Sequence, residues 1–129
     1  MSFTLINPGS GYSNGLLADA GGKLLFIAGQ IAWDQNQQIV SDDFVEQFDR
    51  ALENVIAVVK AAGGNADNIV RLVIYVTGKI EYRERTRQVG ERYRKHMGKH
   101  FPAMVLVEVK GLLDDRAKVE IEGMAVLPA

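Results

Sequence analysis

The chain has no cysteine. That removes disulfides, thiol nucleophiles and cysteine-based metal sites together. It has almost no net charge, −1 at pH 7, so no strong field draws it to nucleic acid or to an anionic membrane. It has only two histidines, His96 and His100. Their i, i+4 spacing resembles a metal pair, but Gly98 stands between them and no third ligand is near. They could also serve as the acid–base pair of a ribonuclease; surface histidines at a helix end are the plainer expectation, with no metal. G-x-G-x-x-G is missing, so a dinucleotide loop is not supported. GYSNG, residues 11–15, has the G-x-S-x-G spacing, but no helix directly follows it and no Ser-His-Asp order suggests itself. A serine-hydrolase elbow is therefore not supported either, and no cofactor is expected. The opening, MSFTLINPGSGYSNG, lacks the charged and then apolar run of a signal peptide. No apolar run approaches the roughly 20 residues that span a bilayer. The expectation is a cytoplasmic protein without a membrane segment. Repeats, linkers and low-complexity tracts are absent too.

What is present fits one domain, residues 1–129, with 47% hydrophobic and 24% charged residues, proportions ordinary for a folded chain. Thr4 to Asn7 reads as a short strand, followed by a glycine-rich loop from Gly9 to Gly15 that carries Tyr12. Lys23 to Ala32 is mostly apolar and reads as a strand buried on both faces. Gly29 inside it marks a bulge or a close approach to the backbone. Ser41 to Ala62 is the clearest helix, with Asp43 and Glu46 at capping-box-like spacing and an apolar stripe of Phe44, Phe48, Leu52, Val55, Val59 and Ala62. Gly63-Gly64 stops it. Ile69 to Val76 reads as a central strand, Ile80 to Met97 as a second, strongly basic helix with a solvated charged surface. Ala103 to Val109 and Lys118 to Ala125 alternate with period two, as half-buried strands do. The order predicts an α+β domain, a mixed sheet with two helices on one face.

Alternation divides the later strands into two faces. One carries Val70, Leu72, Ile74, Val76, Val105, Val107, Val109, Val119 and Ile121 and should meet the helices. The other carries Arg71, Tyr75, Met104, Leu106, Glu108, Glu120 and Glu122. No third helix is expected to cover that second face, and a symmetric oligomer would cover it economically. Its charges should then be paired, because an unpaired buried charge is costly; Arg71 is a plausible partner for Glu108 or Glu122. Glu120 and Glu122 share a face. A glutamate in a semi-apolar cleft can act as general base on water, and a structural ion pair in the interface is the other reading.

GYSNG, FIAGQIAWD, ALENVIAVVKAAGG, IVRLVIYVTG, FPAMVLVEV and KVEIEGMAVLP, in this order and at this spacing, resemble the RidA family. These are the reactive intermediate imine and enamine deaminases, also called YjgF. The resemblance implies a chorismate-mutase-like fold and a homotrimer whose sheets form the inside of a barrel, with small-molecule clefts between subunits. It implies hydrolysis of 2-imino or 2-enamino acids to 2-keto acids and ammonia. It makes Glu120 the water-activating residue and places Tyr12 and Gly29 in the cleft. Three cleft positions depart from the family pattern. Met104 stands where active deaminases place the arginine that grips the substrate carboxylate. Leu106 and Ala28 stand where many members have cysteine and serine. Methionine cannot hold a carboxylate, so the chain looks like an arginine-lacking branch with an altered substrate range. Arg87 could supply an anchor from across the interface. A noncatalytic small-molecule-binding trimer is the alternative reading. RNA cleavage is a third, which the near-neutral charge argues against.

Overall fold

Asp43 decides where the first helix begins. Its carboxylate accepts the backbone N–H of Glu46 at 3.0 Å, satisfying one of the orphan donors of the first turn. The same bond, with smaller help from Arg85, holds the Asp43 carboxyl below its ordinary value. A computed structural model describes residues 3–9, 12–19 and 21–129. In it α1 runs Phe44–Ala61, close to the expected bounds. Phe44, Phe48, Leu52, Val55 and Val59 are all buried and pack against the sheet. Burial of each contributes roughly 1.5–3 kcal/mol.

The sheet contains β3 (Lys23–Gln30), β4 (Ile69–Val76), β5 (Ala103–Glu108) and β6 (Val119–Leu127) in the order β3-β6-β4-β5. β6 runs antiparallel to both neighbours, and β5 runs parallel to β4. A separate antiparallel pair, β1 (Phe3–Gly9) and β2 (Tyr12–Ala18), lies beside β5. Ser13 donates to the Phe101 carbonyl there. The glycine-rich stretch from Gly9 to Gly15 is therefore mostly strand rather than loop, and residues 10 and 11 lie outside the described residues. The mixed sheet carries its helices on one face, as expected.

The basic helix is two helices: α2 (Lys79–Glu84) and α3 (Thr86–Met97). Arg85 leaves helical geometry between them, at φ −115° and ψ 18°. Thr86 contributes to the break, because its hydroxyl turns back onto the carbonyls of Tyr82 and Arg83, a local bond that competes with helix continuation. The start of α2 is held by Glu108, which accepts the Lys79 N–H.

Much of the basic charge is paired rather than solvated. Arg92 and Lys95 both donate to Asp49, and Arg92 also reaches Glu46 at 2.6 Å. The His96 ring nitrogen bonds the other Asp49 oxygen. Three groups of α3 thus converge on one carboxylate of α1. His100 donates to the Ile69 carbonyl at 2.7 Å and stacks on Phe3. Neither histidine is the free surface group expected from the sequence.

Two face assignments reverse. In the parallel register Leu72 lies beside Met104 and Ile74 beside Leu106. Met104 and Leu106 therefore turn toward the helices and pack on the core, while Val105 and Val107 are 44% and 38% exposed. Valine, methionine and leucine are all apolar, so alternation defined the two sets without saying which one points inward. β3 is not buried on both faces either: Ile27 is in the core, while Leu24 and Phe26 are 58% and 70% exposed. Gln47, fully buried, donates to the carbonyls of Ser41 and Arg116 and accepts the Lys118 N–H. It thereby fixes the entry of β6 against α1.

Candidate functional site

Glu120 emerges on the sheet face that no helix covers. In the register of β4 and β6 it stands opposite Tyr75. Its other neighbour is the β3 bulge, where the pairing slips between Ile27 and Gln30. Gly29 sits in that bulge, and a Cβ placed on it would lie 2.2 Å from the Glu120 Oε2. Both structural roles expected of Gly29 are met: it is at a bulge, and something does approach its backbone. The approaching group is the carboxylate itself.

The bulge is held from behind. Asn54 of α1 donates from one amide nitrogen to the carbonyls of Ile31 and Trp33, at 2.9 and 3.0 Å. Gln30 folds its side chain onto the Ala28 carbonyl. Glu120 is therefore half-buried beside a rigid strip of backbone. Among the described residues its carboxylate accepts no hydrogen bond and forms no ion pair, which leaves it available to bind water.

Its neighbour Glu122 is not free. The Tyr75 hydroxyl donates to Glu122 Oε1 at 2.5 Å. That bond, reinforced by the charges of Glu122 and Glu120, pushes the Tyr75 phenol above its ordinary value, so Tyr75 remains a protonated donor at neutral pH. Arg71 makes no ion pair with Glu108 or Glu122 among the described residues. Glu108 is occupied at α2 and Glu122 by Tyr75, so the charge pairing expected for Arg71 is replaced by a phenol–carboxylate bond. Phe26, Ala28, Arg71, Val73, Glu122 and Met124 line a shallow depression on this open face.

A second cavity, of about 300 Å³, opens on the helix side. Met104 and Leu106 form part of its wall, with Phe48, Ile74, Val89 and Phe101; Tyr82, Thr86, Gly90, Tyr93 and Arg94 complete it. Burial pushes the Tyr93 phenol up, and its hydroxyl donates to the His100 carbonyl. The expected site residues thus fall into groups. Glu120, Gly29 and Ala28 lie together at the edge shared by β3 and β6. Met104 and Leu106 lie on the opposite face of the same sheet. Arg87 is 90% exposed and pairs with Glu91 at 3.6 Å. The backbone of Tyr12 pairs with Gly9, and its side chain lies outside the described residues. A single chain does not bring Met104 and Glu120 into one site.

Sequence reasoning placed Arg94 among solvated helix charges and did not single out Gly90. The available signal was a glycine in the middle of a helix, where it weakens the helix by about 1 kcal/mol relative to alanine. Among the described residues no three His, Cys, Asp or Glu side chains gather as metal ligands, and no helix is long and apolar enough to cross a membrane.

A family model described as Endoribonuclease L-PSP matches residues 5–127. A 2-iminobutanoate/2-iminopropanoate deaminase of Salmonella typhimurium is 34% identical over 108 residues, 81% of this chain and 80% of that one. The crystal structure of a Yersinia pestis protein of the Rid family, YyfB, of unknown function, matches with a TM-score of 0.85 at 27% identity. That match covers 98% of this chain and all of the other. The structure of E. coli TdcF with bound serine matches with a TM-score of 0.71 at 30% identity, over 90% and 87% of the two chains.

Proposed function

Because the chain belongs to the RidA (YjgF) family, we propose that it assembles as a homotrimer and hydrolyses imines or enamines in small-molecule clefts between its subunits. The observation that carries this reading is the unpaired Glu120 carboxylate seated against Gly29 on the open sheet face. Glu120 takes a proton from a bound water as the water oxygen adds to the C=N carbon. The nitrogen acquires that proton, giving a tetrahedral carbinolamine. Glu120 then carries the carbinolamine hydroxyl proton to the nitrogen as the C=O bond forms and the C–N bond breaks, and ammonia leaves with a ketone or keto acid behind. The Salmonella typhimurium relative, 34% identical, is a 2-iminobutanoate/2-iminopropanoate deaminase, which supports this reading.

Oligomerisation joins the two halves of the site. Leu24, Phe26, Val105 and Val107 leave an apolar surface on the face that holds Glu120, and association of copies of this chain covers it. In the trimer, Glu120 and Gly29 of one subunit face the Met104 and Leu106 wall of its neighbour. Phe26→Asp places an uncompensated charge in that interface. It is expected to turn the trimer into monomer in sedimentation velocity; an unchanged sedimentation coefficient would overturn this arrangement.

Met104 changes what the cleft accepts. A bidentate arginine contact contributes roughly 2–4 kcal/mol on the usual scale for charge-assisted anchors, and a thioether contributes none of it. The substrates are therefore imines with a larger apolar body than 2-iminopropanoate. Release of ammonia from a panel of amino-acid-oxidase products tests this: leucine- and phenylalanine-derived imines should be hydrolysed faster than the alanine-derived one. A trimer that binds small molecules without chemistry is the second reading, favoured by the apolar Met104 and Leu106 wall. Ligand-induced stabilisation with no ammonia from any imine would establish it instead. The family model is described as an endoribonuclease, but the two histidines offer no free acid–base pair for cleavage of RNA, since His96 is bonded to Asp49 and His100 to the Ile69 carbonyl.

A further inference from the structure

We propose that the helix-side cavity binds a small apolar carboxylic acid, with Arg94 holding the carboxylate and Met104, Leu106, Val89 and Phe101 enclosing the hydrocarbon. The inference rests on the reading of Met104 and Leu106 as cleft positions, and it names the chemical class that their half of the cleft selects.

Three observations carry it. The first is the shape and lining of the cavity. It holds about 300 Å³, at the small end of ligand cavities, and its walls are aliphatic and aromatic apart from a few polar groups at α2 and α3. The second is Gly90. Nothing in its backbone requires glycine, and glycine is a poor residue for a helix interior. A Cβ at this position would meet only the Arg94 guanidinium, at 3.1 Å from Nη1. Glycine there leaves open the space under Arg94. The third is Arg94 itself. Arg92 holds Glu46 and Asp49, and Arg87 holds Glu91. Arg94 alone of these three makes no ion pair or side-chain hydrogen bond among the described residues, and it folds back over Gly90 at the cavity.

A guanidinium at the rim of an apolar cavity selects an anion with an apolar tail. Its planar fork fits a carboxylate in two parallel bonds, while the tail gains from leaving water. The guanidinium sits on α3, across the cavity from the β5 position held by Met104. The acid must therefore reach outward from the Met104 wall, which favours a branched or aryl chain over a two-carbon one.

Isothermal titration of the full chain with 4-methylpentanoate and with 4-methylpentanamide tests the proposal. The acid is expected to bind at least about tenfold more tightly than the amide, the scale of one charge-assisted contact. Arg94→Gln should erase that preference, and Arg83→Gln, at an exposed cation of α2, should leave it intact. Gly90→Leu should abolish binding of both compounds while the melting temperature stays at or above that of the parent, since leucine is the better helix former. Equal binding of acid and amide, or an unchanged preference in Arg94→Gln, would overturn it, as would undiminished binding by a folded Gly90→Leu. Ammonia release separates this outcome from the deaminase reading. Imine hydrolysis with no acid preference sinks the pocket alone. Acid binding that depends on Arg94, with no imine hydrolysed, sinks the deaminase and leaves the pocket.

Discussion

Replacing Glu120 with glutamine is expected to lower imine hydrolysis by about 10²–10⁴-fold, the range that general-base catalysis supplies. Ammonia release under saturating imine measures it. The fold should be unaffected. The Glu120 carboxylate accepts no hydrogen bond among the described residues, and substitutions away from such contacts usually change stability by within about 0.5 kcal/mol. Glutamine keeps the size and loses the basicity, so kcat should fall while KM stays within a few fold. Gly29→Ala is a companion with a different cause. Its new methyl group would meet Glu120 Oε2 at 2.2 Å. The end of a flexible side chain can retreat from that contact more cheaply than backbone can, so the protein should fold with its carboxylate displaced. Activity should drop by about 10-fold or more, consistent with the sensitivity of catalysis to placement. Full activity in Glu120→Gln would remove Glu120 from the mechanism altogether.

Asp49→Ala is expected to cost about 2–3 kcal/mol of stability, or a melting temperature lower by roughly 8–12 °C. Asp49 is 7% exposed and takes hydrogen bonds from Arg92, Lys95 and His96 at once. Its removal leaves those donors without their acceptor. The figure lies below the usual 3–5 kcal/mol for breaking a buried pair because Arg92 and Lys95 are partly solvated. Differential scanning calorimetry at fixed protein concentration would measure it. The same carboxylate makes stability depend on acid. Burial alone would raise its pKa, but the hydrogen bonds from His96, Arg92 and Lys95 outweigh burial and hold it below the ordinary 3.8. A depressed folded pKa contributes stability in full above the unfolded value. That contribution fades as pH falls below about 4 toward the folded value. Between pH 7 and pH 5 Asp49 should contribute no slope, and below pH 4 the parent should lose stability faster than Asp49→Ala. Parallel acid melts of the two proteins would refute this role.

The contrast between what could be read and what could not follows from the kind of signal involved. β4 was legible to the residue and α1 to within three residues, since a six-residue stripe at helical spacing and an eight-residue, largely apolar stretch leave little room for another interpretation. The bulge at Gly29 and the end of α3 at Gly98 were legible because glycine in such places has few other reasons. The orientation of β5 was not. Its alternating residues are apolar on both sides, and only the parallel pairing with β4, a long-range contact, selects Met104 and Leu106 for the helix side. The pairing of Glu122 with Tyr75 was missed for a related reason. Opposite charges suggested Arg71, but the diagonal geometry of β4 and β6 delivers a phenol instead. Asp49 was invisible as a hub because its three partners lie more than forty positions away on α3. The candidate site residues were named only through family resemblance, and their division between two faces of one sheet was not legible.

The place of β6 has a consequence for how the protein is made. β6 is the last strand in chain order, yet it sits between β3 and β4. Those two strands share no edge until residues 119–127 have been synthesised. Until then a nascent chain carries two apolar strands with open hydrogen-bonding edges, which is the condition that invites association with the wrong neighbour. Sheet closure, the seating of Glu120 against Gly29, and the docking of β6 on Gln47 are therefore one late event. The Glu120 carboxylate arrives on the strand that joins β3 to β4, so no partly made chain can present the candidate site.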